Sequence, residues 1–387
     1  MTAPPGRTAL RANVEETLRS DHEAAKDTLS QWQLIRLRFA RHRLAVIGLH
    51  LLAALYFIAA FAEFIAPHTR GFADVDKIYC PPQLPRYSLE HGLHARAVER
   101  QVDPVTLQNY YVQGRDAIPL GFFVAGEPYK LWGLVPSTRH FFGVRRDAWT
   151  GRGEPPPVFI LGADKFGRDV LSRLVYGARI SLSIGLVSIV VTFFLGALVG
   201  GVSGYVGGRT DTFIQRMIEV VNAFPNLPLW MAFAAVLPRH WSAIQTYFAI
   251  TIVLSLLGWT GLARVVRGKI LSLREEDYAV AARLLGASHG RIIFRHLLPG
   301  FTSHIIVSLS LSVPGMILGE TSLSFLGLGL RAPVVSWGVM LQDCLNIDVV
   351  ANYPWLLAPV FFIVLTVLSF NFFGDGMRDA ADPYSSK

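Results

Sequence analysis

Apolar residues in this chain come mostly in long, nearly unbroken runs, without the 3.6 or 2.0 periodicity that marks half-buried helices and strands. A hydrocarbon core of about 30 Å needs roughly 20 residues of helix. Six runs reach that length, at 44–65, 180–202, 213–237, 246–265, 301–319 and 354–373. The third follows an amphipathic lead-in and is interrupted by Pro225 and Pro228, and the fifth contains Pro314. Such breaks are tolerated where neighbouring helices and water satisfy the freed backbone groups. The pattern therefore predicts an all-α polytopic membrane protein with six transmembrane helices enclosing a lumen.

Between the first two runs, residues 66–177 leave the hydrophobic regime for long enough to fold as a small domain. Pro81, Pro82 and Pro85 at one end, and Pro155, Pro156 and Pro157 at the other, bracket it with extended backbone. Tyr110, Tyr111, Phe122, Phe123, Tyr129, Trp132, Phe141, Phe142 and Trp149 are the candidate core, and 121–124 and 158–161 read as strands. A mixed α/β or irregular periplasmic insertion between helices 1 and 2 is expected. Ahead of the first run, residues 31–43 set Trp32, Leu34, Ile35, Leu37 and Phe39 beside Arg36, Arg38 and Arg41, the pattern of an interfacial helix on anionic lipid. The chain thus divides into a tail with interfacial helix (1–43), a first membrane helix (44–65), the insertion (66–177), a five-helix core (178–374) and a C-terminal tail (375–387).

With 52% hydrophobic and only 17% charged residues, an ordinary soluble globule is excluded. The net charge of +8 is then a topology signal rather than a nucleic-acid patch, because the basic residues flank the lipid-length runs. Arg36, Arg38, Arg41 and Arg43 precede the first run, and Arg264, Arg267, Lys269, Arg274, Arg283, Arg291 and Arg295 lie between the fourth and fifth. Both segments belong inside. Residues 334–353 carry no Lys or Arg and belong outside, so an even number of spans leaves both termini in the cytoplasm. The N-terminal stretch lacks a signal-peptide pattern and is expected to stay attached. Cys80 and Cys344 both fall in external segments; two free thiols are favoured over a disulfide, and spacing alone does not supply the distance.

No engine is visible within the chain. Residues 261–270 approach a phosphate-binding loop, but the spacing is wrong and Ile270 stands where Ser or Thr should hold magnesium. His91 and His94 find no third ligand nearby and read as a solvated pair. Free energy for any transport must come from a partner or an ion gradient. The best partner site lies between the fourth and fifth runs. Glu275, Glu276, Asp277 and Tyr278, followed by Ala281 and Ala282, predict a helix with acidic residues in its first turn. Gly286 is its left-handed cap, Ala287 completes the corner, and Ser288 caps a second short helix ending before Leu298. Pro299 is then placed to begin the fifth span. The small residues at 279–282 allow close approach by another protein, and a rigid corner transmits displacement; the alternative is a surface helix pair that merely links two spans.

Three further groups stand out. Asp164, Arg168, Asp169, Arg173 and Arg179 form a candidate ion-pair collar at the outer end of the second span, for anchoring or for contact with a delivery protein. Glu219, Asn222, Phe224 and Pro225, with Arg216 nearby, bring polar groups into the third span as pore or interhelix candidates. Glu320 is expected to end the fifth span, and with Ser322, Ser324 and Phe325 to open a re-entrant turn acting as an external gate.

Residues 277–299 resemble the coupling loop of ATP-binding-cassette importer permeases, with Ala281, Ala282, Gly286, Leu298 and Pro299 at matching places and Val280 and His296 departing from the pattern. The stretch LGADKFGRDVLSRLVYGARISL from Leu161, ETSLSFLGLG from Glu320, PVVSWG from Pro333 and GDGMRDAADP from Gly374 are similar to the dipeptide, oligopeptide and nickel permease family, of the second-permease type with an enlarged periplasmic insertion. That resemblance implies an inner-membrane transport subunit and no enzyme. Implied partners are a homologous second permease, two subunits that bind ATP and magnesium, a periplasmic solute-binding protein and the lipid bilayer. No cofactor is expected in this chain, and no nucleic acid. Peptides are the first expectation for cargo, with oligosaccharides, opine-like compounds and metal chelates as alternatives. An ion-coupled carrier is the competing class; it favours carboxylates at mid-span, and runs one, two, four and six have none there.

Overall fold

The computed structural model describes residues 30–102, 104–105, 109–238 and 240–381, so the outer parts of both tails lie outside the described residues. Ser30 opens helix α1 (Gln31–Arg41) with a reciprocal cap: its hydroxyl accepts from the Gln33 amide while the Gln33 side chain accepts from the Ser30 amide. His42 interrupts the helix and caps the next, α2 (Arg43–Ala60), by accepting from the Ala45 amide at 3.1 Å. A single turn, α3 (Ala62–Ile65), extends it.

Among the described residues, five helical stretches are long and apolar enough to cross a membrane: Arg43–Ala60, Val170–Val206, Ala243–Leu273, His289–Phe325 and Pro354–Ala381. The second is α4 (Val170–Val206) and the third is α7 (Ala243–Leu273). The run at 213–237 is not one helix. It divides into α5 (Gly208–Ala223) and α6 (Asn226–Ala235), separated by extended backbone at Phe224 and Pro225. Pro225 forces the residue before it out of the helical region, and Phe224 sits at φ −89°, ψ 138°. Pro228 falls in the first turn of α6, where its missing donor costs little.

The bundle is held by close backbone approach as much as by large side chains. Gly196, Gly200 and Gly204 form a small-residue seam on α4 against α7. A Cβ added at these positions would come within 2.8 Å of Leu262, 2.4 Å of the Ala263 carbonyl and 2.8 Å of the Arg267 carbonyl. Helices α10 (Thr302–Phe325) and α13 (Ala358–Ala381), the latter preceded by the short α12 (Ile347–Asn352), complete the core with α2, joined through Leu52, Leu55, Leu174, Leu182, Val313 and Ile317.

Residues 66–169 carry a four-stranded antiparallel sheet in sequential order, β1 (Arg86–Ser88), β2 (Gly92–Val102), β3 (Asn109–Leu131) and β4 (Val135–Val144). The long β3 pairs with β2 along its first half and with β4 along its second. The expected strand at 121–124 lies within β3, whereas 158–161 is not a strand. Its Phe159 instead exchanges hydrogen bonds with Gln83 at 2.8 and 2.9 Å. Ala95, Ile118, Leu120 and Val158 form the core of the sheet, and Phe122, Phe123 and Trp132, expected inside, are exposed. The insertion is tied to the bundle by Tyr79, whose ring lies flat on Tyr353 at 3.9 Å, and by Trp355, whose indole donates to the Ala163 carbonyl at 3.0 Å.

Candidate functional site

Helix α8 (Asp277–Leu284) follows α7 after a short break and ends in a Schellman cap. The Gly286 amide donates to the Arg283 carbonyl at 3.0 Å and the Ala287 amide to the Ala282 carbonyl at 3.1 Å. Gly286 holds φ +81°, and an added Cβ would meet nothing within 4 Å, so the requirement for glycine is one of backbone conformation and not of space. Ser288 then accepts from the Arg291 amide at 3.4 Å and starts α9 (His289–Arg291). The second short helix was expected to stop before Leu298. It does not: the chain continues through a π segment (Ile292–Leu297) and a 3-10 turn (Leu298–Phe301) into α10. Pro299 sits inside that 3-10 turn, near its start, where a missing amide donor is tolerated.

Packing fixes one side of the corner and leaves the other bare. Ala279, Ile292, Ile293, Leu297 and Leu298 bury themselves against Leu262, Val266 and Ile270 of α7. Leu284 and Leu285, at the apex, are 82% and 88% exposed, and Tyr278 is also exposed. Glu275 pairs with Arg274 at 3.1 Å, and Glu276 is the N-cap residue of α8. The sequence pointed to the Ala and Gly positions; it did not single out the two exposed leucines, although an apolar pair just before a glycine cap was there to be read.

The neighbouring helix ends are stapled by charges that the sequence offered only as orientation signals. Arg267 grips Asp211 with two bonds of 2.5 and 2.6 Å, and Ser203 donates to the same carboxylate at 2.5 Å. Arg274 donates to the Gly204 and Tyr205 carbonyls at the end of α4, at 3.1 and 3.4 Å. Nearby, Glu219 pairs with Arg216 at 2.6 Å, and the Asn222 side chain accepts from Thr260 at 3.0 Å. Glu219, Asn222, Phe224 and Pro225 lie on an exposed face of α5 and the break that follows it.

At the opposite end of α4, the five residues of the expected collar fall into separate assemblies. Asp164 accepts from the Phe166 and Arg168 amides and pairs with Arg168 at 2.7 Å and Arg173 at 3.5 Å. Asp169 acts as the N-cap of α4, accepting from the Leu171 and Ser172 amides at 3.3 and 2.9 Å. Burial pushes its carboxyl above the usual carboxylate range. Arg179 stands apart, paired with Glu63 at 2.5 Å and bonded to the Ala59 and Ala60 carbonyls.

Glu320 does not end its helix: α10 continues to Phe325, and the carboxylate is fully buried. Ser324 and Ser336 each donate to it at 2.8 Å, and the Ser181 hydroxyl lies 3.5 Å away. The three hydroxyls accept in turn from the Leu330, Val339 and Trp337 amides at 3.0, 3.2 and 3.1 Å. One carboxylate thereby organises the segment after α10, through the short helix α11 (Trp337–Met340), against α4 and α10. Trp337 is fully buried and donates to the Leu174 carbonyl at 3.1 Å. Phe325 packs against the same core, and the Ser322 carbonyl accepts from the Leu326 amide at 3.1 Å. Cys80 and Cys344 are free thiols.

Comparison with known proteins joins these features. Residues 182–386 match the family described as binding-protein-dependent transport system inner membrane component, and residues 30–82 match the N-terminal TM domain of oligopeptide transport permease C. The dipeptide transport system permease protein DppC of Bacillus subtilis (strain 168) is 41% identical over 241 residues, 62% of this chain and 73% of that protein. The oligopeptide transport system permease protein OppC of Haemophilus influenzae is 43% identical over 224 residues, 57% of this chain and 69% of its own length. DppC of Lactococcus lactis subsp. cremoris is 29% identical over 375 residues, 95% of both chains, so that relative matches through the insertion as well. The chain is therefore a multi-pass inner-membrane protein and a transport component, a member of the family of binding-protein-dependent transport system inner membrane components.

Proposed function

We propose that this chain is one of two permease subunits of an ATP-driven importer for peptides. The observation that carries the proposal is the corner at Gly286. A capped, well-packed elbow presents two bare leucines and a tyrosine, on a chain whose relatives are named dipeptide and oligopeptide permeases. In this reading Glu275, Glu276, Asp277, Tyr278, Ala281, Ala282 and the residues from Gly286 to Ser288 lie in the cytoplasm and dock on ATP-binding subunits, which hold ATP and magnesium. Leu298 and Pro299 pass the motion into α10. Helices α5 and α6 together make a sixth crossing, and their exposed face with Glu219, Phe224 and Pro225 meets a second permease. The sheet and the Asp164, Asp169 and Arg179 assemblies lie outside, where a solute-binding protein delivers cargo, and the segment pinned by Glu320 gates the outer mouth. Both termini are then cytoplasmic.

Transport follows as a population shift: the ATP-binding subunits hold the elbows together in one state and release them in the other, and the bundle alternates in access. The test is reconstitution with the ATP-binding subunits and the binding protein. Peptide uptake should require ATP, and Gly286→Val, which forces a β-branched residue into the left-handed region at about 1–2 kcal/mol, should lower peptide-stimulated ATP hydrolysis by roughly tenfold without changing membrane insertion. Uptake that persists without the ATP-binding subunits would overturn the reading.

A further inference from the structure

The turn between β3 and β4 comes to rest beside the first membrane helix. The Leu134 amide donates to the Leu131 carbonyl at 3.0 Å, closing a turn whose central residues, Trp132 and Gly133, hold φ of 52° and 75°. A turn of this hand calls for Asn or Gly. Tryptophan is held there against its backbone preference, and its contacts say why. The indole nitrogen donates to the carbonyl of Ala60, the last residue of α2, at 2.7 Å. Its ring lies 5.5 Å from Phe61, which lies 4.8 Å from Phe57, an exposed residue on the flank of α2. A row of rings thus runs from the side of a membrane helix up to the turn.

The depth of that row is set by charge. Arg179 donates to the same Ala60 carbonyl at 3.0 Å while pairing with Glu63, and such a pair at the end of a span sits at headgroup level. Trp132, Leu134 and Val135 are 54%, 78% and 55% exposed at that level. Residues 131–136 carry no charge, and Lys130 flanks them where a lipid phosphate would be. We propose that this turn is an interfacial anchor that inserts into the outer leaflet and fixes the sheet to the bilayer surface. The occupant is lipid because the exposed rings continue the flank of α2, and tryptophan favours the interface. The leaflet assignment rests on the proposed orientation.

The test uses the complete importer in nanodiscs, with an environment-sensitive fluorophore on Leu134→Cys and, as control, on Leu89→Cys in the fully exposed β1–β2 turn. Lipids carrying a nitroxide near the headgroup end of the acyl chain should quench the Leu134 label at least about twofold more than the Leu89 label. Equal quenching at the two sites overturns the anchor. So does a Leu134 label shielded from both lipid nitroxide and aqueous iodide, which would mean that protein covers the turn. Nanodiscs expose both leaflets, so quenching reads insertion on either side, and a wrong orientation is detected separately by labelling Leu89→Cys in intact cells.

Discussion

A single added methyl separates the glycines that serve the seam from those that do not. At Gly200 a Cβ would sit 2.4 Å from a backbone oxygen that cannot move aside, whereas at Gly261 it would meet nothing within 4 Å. Gly200→Ala should therefore lower the thermal midpoint of the detergent-solubilised chain, at a cost of about 1–3 kcal/mol. Gly261→Ala should leave it unchanged or raise it, since glycine in mid-helix costs roughly 0.5–1 kcal/mol relative to alanine. The thiols make a second residue-scale prediction. Burial, reinforced by the neighbouring Asp343 carboxylate, pushes the Cys344 thiol up to about 11, and burial pushes Cys80 up to about 12. The reactive thiolate is the deprotonated form, so alkylation of Cys344 should rise with pH through that range. Near pH 8 it should be about 100-fold slower than at a thiol of ordinary pKa, as a maleimide time course would show.

Helix α4 hangs on the residue that caps it. Asp169 accepts from two amides and from the Ser172 hydroxyl, so Asp169→Ala should cost about 0.5–2 kcal/mol of stability while Asp169→Asn, which still accepts, should keep most of it. Thermal unfolding of the two variants side by side checks this. What the sequence disclosed about such elements depended on how local the signal was. The Gly286 corner was legible because a glycine cap followed by a serine cap is a short-range pattern with one geometric meaning. The division of 213–237 was less so: hydropathy registers length, and Pro225 and Pro228 had to be recognised as a stop and a first-turn residue rather than two kinks. Glu320 was read as a helix end because serines and glycines crowd after it. In the fold one of those serines, Ser324, is its hydrogen-bond partner, and the other two donors, Ser336 and Ser181 of α4, are distant in sequence. Arg267 and Arg274 announced only their charge, since Asp211 and the end of α4 are distant in sequence.

For the whole molecule, orientation is the quantity that most needs measuring. A membrane-impermeant maleimide should label Leu89→Cys in intact cells and Leu285→Cys only in inverted vesicles; the reverse pattern would turn the elbow away from any ATP-binding subunit. Five of the six lipid-length runs correspond to long apolar helices among the described residues, and the polar excursion was plain from the order of residues, but a four-stranded sheet was not. Its strands join across sequence gaps by register, and its outer aromatics mimic a core. The flat pairing of Tyr79 on Tyr353, with Trp355 bonded to Ala163, gives that sheet a mechanical meaning. Both contacts land just ahead of α13, so a load placed on the sheet by a docked protein arrives at the head of the last membrane helix without crossing the interior of the bundle. The insertion is in effect a handle fastened to two rods, there and at the end of α2 where Trp132 bonds Ala60, and leaning on it levers one against the other.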